Sequence, residues 1–229
     1  MRLIVITTET FFEGEAEAIN LLFENGLEVL HVRKPYATRK ETEVFIGQIR
    51  KNFHPRIVIH DYYELTQLFD LKGIHLNRRH PDFLPSLRAC EAIQTPSPPS
   101  TSSTLSPFST LSPFSTPSPS LSCHSIDEIS EAQFCDYVFL SPIFDSLSKA
   151  GYKKGFTPEQ LNEAKGRKII DRRVIALGGI TAEKIPAVQD YGFGGIAVIG
   201  ALWGDFIVSR DVNSLLKRFN ELKIKCDTI

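Results

Sequence analysis

Six histidines are spread along a chain of 229 residues, and five of them stand at or beside the ends of short apolar runs. His31 and Arg33 close "LEVLHVR", and His60 and Asp61 close "RIVIHD". His75 lies in "GIHLN", His80 follows it, and His124 ends "SLSCH"; His54 alone lies elsewhere. Imidazole takes and returns a proton near neutral pH, so histidines gathered at one end of a sheet point to acid–base chemistry. Ser122 and His124 are two residues apart, a spacing that puts both side chains on one face of an extended segment. Gly178-Gly179 and Gly200 follow two late apolar runs, and bare backbone N–H groups at such ends bind phosphate oxygens. Lys149, with Ser146 and Ser148 in the same loop, supplies an ammonium and two hydroxyls for further phosphate oxygens. These residues describe a site for a small phosphorylated ligand, with an imidazole at its reacting end.

Such residues share a site only if the run ends share a rim. Apolar runs at 3–7, 27–33, 56–61, 73–77, 136–144, 172–179 and 194–202 alternate with amphipathic stretches. Helical stretches are predicted over 15–25, 38–51, 63–70, from Pro81-Asp82, over 126–133, from Pro158, from Thr181 and over 211–223. Thr38 with Glu41, and Ser125 with Glu128, have capping-box spacing. Continuous apolar strands alternating with helices indicate a parallel sheet covered on both faces. Seven strands are clear, and an eighth is placed around Leu121–Cys123. The expected fold is therefore α/β, a single (β/α)8 TIM barrel over residues 1–229, with its chemistry at the C-terminal strand ends. An open doubly wound sheet fits less well, because "ITTETFFEG" after the first strand lacks a glycine-rich phosphate loop.

Residues 95–120 break the pattern. "STLSPF" occurs at 103–108 and again at 109–114, followed by "STPSPS". A repeat with proline in each copy sustains neither a helix nor a central strand. The tract is expected to be a disordered Ser/Pro/Thr-rich insertion between the fourth helix and the fifth strand, on the face away from the site. Deleting about residues 97–118 is expected to leave melting temperature and turnover nearly unchanged. A thermal melt and an activity assay of the deletion check this, and a large loss in either contradicts it.

The 26 basic and 27 acidic side chains give a net charge of −1, without the basic excess of a nucleic-acid binder. No apolar run approaches the roughly 20 residues of a membrane span, and the opening "MRLIVITTET" lacks the apolar core of a signal peptide. Four cysteines without paired spacing suit reduced thiols better than a zinc site or a disulfide frame. A cytoplasmic protein is expected, and homo-oligomerisation is left open.

In order, "LHVRKP", "VIHDYYELTQLF", "GIHL", "SCHSIDE", "DYVFLSPIFDSLSK", "VIALGGIT" and "GFGGIAVIGAL" resemble the strand-end motifs of the thiamine-phosphate synthase and thiazole tautomerase family. The resemblance covers roughly residues 1–94 and 121–205, and implies the barrel and a thiazole phosphate ligand. A synthase joins a pyrimidine methyl diphosphate to thiazole phosphate with magnesium. Its strand-two pattern Q-x-R-x-K is met here by His31, Arg33 and Pro35. Its N-D after strand three becomes His60-Asp61, leaving Asp61 as a weak magnesium candidate, and its second carboxylate falls on His80. Serines 146 and 148 replace two threonines, while Ser122 and Lys149 are kept. The tautomerase branch, similar in H-x-R and S-x-H-S, needs no cofactor and uses the histidine here numbered His124 as its acid/base. The expectation is a tautomerase, with the synthase as its alternative and an inert phosphate-binding regulator as a third reading. His124 is expected to catalyse; His31, Arg33, Ser122, Ser146, Ser148, Lys149, Gly178, Gly179 and Gly200 are expected to bind the ligand.

Overall fold

A computed structural model describes residues 1–77, 117–145 and 155–228. Eight parallel strands close into a barrel in chain order, with β1 pairing both β2 and β8. They are β1 Arg2–Ile6, β2 Val29–Val32, β3 Ile57–Ile59, β4 Gly73–Leu76, β5 Ser118–Cys123, β6 Tyr137–Leu140, β7 Val174–Leu177 and β8 Gly195–Val198. The main helices are α1 Glu15–Glu24, α2 Arg39–Gln48, α3 Leu65–Phe69, α4 Ile126–Glu131, α5 Pro158–Gly166 and α6 Ile185–Asp190. Two short ones, α7 Gly200–Trp203 and α8 Phe206–Ser209, precede the closing helix α9 Val212–Asp227.

The helix starts obey the chemistry written in the sequence. Thr38 Oγ1 accepts the Glu41 N–H at 3.2 Å while the Glu41 carboxylate accepts the Thr38 N–H at 2.7 Å, completing the capping box of α2. Thr157 and Gln160 do the same for α5, and Asp211 caps α9 by accepting from Asn213 and Ser214. Ser125 caps α4 by accepting the Glu128 N–H, but the Glu128 carboxylate turns instead to the N–H of His124, at 2.6 Å. That half of the box is redirected toward the residue that leads the chain off the barrel rim.

Strand residues divide by period two. One set packs outward against the helices, including Val5, Leu30, Ile59, Ile74, Leu76, Val138, Leu140 and Ala176. The inner apolar set is Ile4, Ile6, Val29, Val58, Tyr137, Phe139, Ile175 and Ala197. Trp203 is fully buried beside this wall and donates its indole N–H to the Ile6 carbonyl at 2.9 Å.

Two sequence boundaries shift. Residues 118–120, assigned above to the insertion, are the first half of β5, with Gly73–His75 opposite Ser118–Ser120. Pro119 is tolerated there because its carbonyl accepts the Asp136 N–H at 2.9 Å, while its nitrogen carries no donor to satisfy. A deletion that preserves the barrel must therefore stop short of Ser118. The run at 194–202 is strand only to Val198, and Gly200 opens the short helix α7. The expected helix at Pro81-Asp82, the repeats and His80 lie outside the described residues.

Candidate active site

The barrel interior is apolar on one side and polar on the other. Inward positions of β1, β7 and β8 are Ile4, Ile6, Ile175 and Ala197. Those of β2 to β5 include His31, His60 just past β3, His75, Ser120 and Ser122. His31 is fully buried, and His60 and His75 nearly so. His31 Nδ1 lies 2.9 Å from His60 Nε2, and His31 Nε2 lies 2.5 Å from the Tyr137 hydroxyl. His75 Nδ1 and Nε2 lie 2.9 and 2.8 Å from the hydroxyls of Ser120 and Ser122. Burial, followed by the neighbouring His75, holds the His31 imidazole well below its ordinary pKa, so the ring is neutral. Burial pushes the Tyr137 phenol far up, so it too keeps its proton.

Above this cluster a cavity of about 820 Å³ opens at the C-terminal strand ends. Arg33, His60, His75, Ser122 and His124 line it, with Gly178, Gly179 and Gly200 among its other walls. Arg33 reaches Glu9 at 2.9 Å, and its N–H donates to Thr7 Oγ1 at 2.9 Å. His124 is exposed on the rim, with Nδ1 3.1 Å from the Ser141 carbonyl. A carbonyl only accepts, so Nδ1 donates to it and Nε2 is the ring nitrogen left facing away from that contact. Gly178 and Gly179 have φ of 100° and 62°, left-handed conformations that glycine adopts without strain. A Cβ on Gly178 would lie 2.9 Å from Pro142 Cα, and one on Gly179 would overlap the Asp145 carbonyl oxygen.

Lys34 points the other way. It stands one residue from the position that the family pattern gives to lysine, and in an extended chain one residue reverses the face. Its ammonium is buried 2.6 Å from the Glu15 carboxylate, donates to the Thr10 carbonyl at 2.9 Å, and lies over the rings of Phe11 and Phe45. Burial raises the Glu15 pKa and lowers that of Lys34, and each partner offsets part of the other's shift. This pair ties the start of α1 to the end of β2, and so fixes the segment carrying Thr8 and Glu9 along the cavity wall.

Seven of the expected site residues, Arg33, Ser122, His124, Gly178, Gly179, Gly200 and, one layer below, His31, are thus brought to one cavity or its floor. Ser146, Ser148 and Lys149 lie outside the described residues. Asp61 is half-buried directly after His60; Asn77, across from it, donates to the His60 carbonyl at 2.9 Å. Sequence reasoning missed Tyr137, Ser120, Glu9 and Glu128. The available signal for the first two was their inward register: Ser120 stands opposite both His75 and Tyr137 in the ladder.

A family model described as thiamine monophosphate synthase matches residues 120–202. The curated thiamine-phosphate synthase of Shouchella clausii is 23% identical over 220 residues, covering 93% of this chain and 91% of that protein. A solved structure, thiamine phosphate pyrophosphorylase from Bacteroides thetaiotaomicron, is 36% identical with a TM-score of 0.76, covering 99% of this chain and 98% of that one. The thiamine phosphate pyrophosphorylase of Pyrococcus furiosus, at 21% identity and a TM-score of 0.68, shares the fold over 99% of this chain and 96% of its own. Barrel closure, the order of the strand-end motifs and full-length similarity to these proteins agree: the chain belongs to the thiamine monophosphate synthase family.

Proposed function

We propose that this protein is a thiamine-biosynthesis transferase that joins hydroxymethylpyrimidine diphosphate to thiazole phosphate. The observation that carries the reading is the cavity, whose volume of about 820 Å³ is near the upper end for small-molecule sites. It has room for two heterocycles side by side. The glycine wall of Gly178, Gly179 and Gly200 suits the thiazole phosphate, and Arg33, at the end of β2 and separated from β8 by β1, suits the diphosphate. In the reaction the bond from the pyrimidine methylene to diphosphate oxygen breaks and diphosphate leaves. The thiazole nitrogen then donates its electron pair to the methylene carbon. The similarity to proteins named for this activity reverses the order in which the sequence alone ranks the two reactions.

Asp61, partly buried directly after the cavity-lining His60, is the carboxylate that would hold magnesium together with substrate phosphate oxygens, a weak site because the family's second carboxylate falls on His80. When bound, the ion would neutralise charge on the departing diphosphate. The protein's own residues orient the two substrates and screen the reacting carbon from water with the walls of Phe139, Leu177 and Ile199.

A second reading, the tautomerase, is favoured by one observation. The His124 ring is held at Nδ1 by a carbonyl on a rim shared with Gly178, Gly179 and Gly200, an arrangement that suits a general base. Supplying both substrate sets with and without magnesium separates the readings. Thiamine phosphate formed in a magnesium-dependent way is the expected result, and isomerisation of the thiazole carboxylate phosphate alone overturns it. If isomerisation is present, His124→Gln is expected to lower it by at least about 10², while thiazole phosphate still binds. Unchanged isomerisation in that variant removes His124 from the chemistry.

A further inference from the structure

We propose that His31, His60 and His75 form a binding site for one divalent transition-metal ion of the zinc class, set in the cavity floor. Each offers a ring nitrogen, and these atoms all lie within 4.8 Å of one another. His31 Nδ1 and His60 Nε2 are already 2.9 Å apart. Nitrogens bound to zinc at about 2.0–2.1 Å in a tetrahedron are separated by about 3.3 Å, so the cluster is within side-chain adjustment of that geometry.

The surroundings match what metal-bound histidines require on their far sides. The Tyr137 hydroxyl stands at His31 Nε2, and the Ser120 hydroxyl at His75 Nδ1. Oxygens in those places accept the remaining ring N–H and fix the ring. Binding exchanges two hydrogen bonds, His31 with His60 and His75 with Ser122, for metal bonds. It also turns the His60 and His75 rings, now stacked with centroids 4.2 Å apart, so that their lone pairs converge. His60 and His75 both wall the cavity, so the fourth position opens toward it, as in catalytic rather than closed structural sites. It would take water or an anionic oxygen of the cavity's ligand. Three nitrogens and no carboxylate select zinc, cobalt, nickel or copper over magnesium, so this site is separate from Asp61. The inference depends on neither reaction proposed above.

The test is titration of the full chain, stripped of metal by a chelator, with cobalt(II). One equivalent should bind at about micromolar affinity or tighter, with the strong visible absorption of a low-coordinate ion and no thiolate charge-transfer band. Zinc should displace it and magnesium should not. His31→Gln and His60→Asn keep a hydrogen-bonding group of similar reach, and each should weaken binding by at least about 100-fold; Tyr137→Phe should weaken it by about 10-fold. X-ray absorption of the wild-type complex should count three imidazole nitrogens, which decides the matter should a variant fail to fold. No binding at millimolar cobalt, a thiolate band, fewer than three imidazoles, or a folded His31→Gln variant that binds unchanged would each overturn the site.

Discussion

Gly179→Val is expected to lower the melting temperature by about 6–12 °C, in addition to weakening phosphorylated ligands. The sequence alone points only to the second effect, a selective loss of the phosphate, because it presents Gly179 as bare backbone in an anion site. The structure gives the glycine a prior duty. Its φ of 62° is left-handed, which costs a side-chain-bearing residue about 1–2 kcal/mol. A Cβ there overlaps the carbonyl of Asp145 and comes within 2.9 Å of the carbonyl of Phe144. Those are backbone atoms of the segment leaving β6 and cannot swing aside, so overpacking of about 1–3 kcal/mol is added. A total of about 3 kcal/mol in a chain of this size corresponds to the stated shift. A variant that melts like wild type yet loses only phosphate affinity would return Gly179 to a purely ligand-facing role.

Lys34→Met should destabilise the fold by about 3–5 kcal/mol in urea unfolding, because it strands a buried carboxylate. Glu15 and Lys34 side chains are each 1% exposed, so neither has water to fall back on. Burial already pushes both pKa values toward their neutral forms, and removal of one partner deletes the chief offset for the other. The double variant Glu15→Leu/Lys34→Met should recover most of the loss, since a well-packed apolar pair avoids the desolvation of two charges. The same single variant should raise the KM for the diphosphate substrate. The loop bearing Glu9, the partner of Arg33, is anchored through Thr8 and Thr10 to this pair. A Lys34→Met protein as stable as wild type would show that the ammonium is not the counter-charge that the geometry makes it.

The positions of the histidines carry the balance between what sequence and structure each supply. Period-two alternation and strand-end placement are local properties, so the sequence by itself determined seven strands and the place of an eighth, the capped starts of α2 and α4, and the rim on which Arg33, Ser122 and His124 meet. Residue type also determined that Gly178, Gly179 and Gly200 share one wall, because barrel order brings the ends of β7 and β8 together. What only tertiary structure decided is how inward residues on different strands meet. His31, His60 and His75 are 29 and 15 residues apart in succession, and nothing local says that their rings touch. Closing the barrel set β2 beside β3 and β3 beside β4, which stacked the His60 and His75 rings and set His31 edge-on to both. The same closure turned Lys34 to the outer face, where Glu15 meets it, and brought the Asp145 carbonyl against Gly179. Pairing across strands depends on register and shear, which no single stretch of chain encodes, so the chemistry's floor became visible only once the sheet had closed.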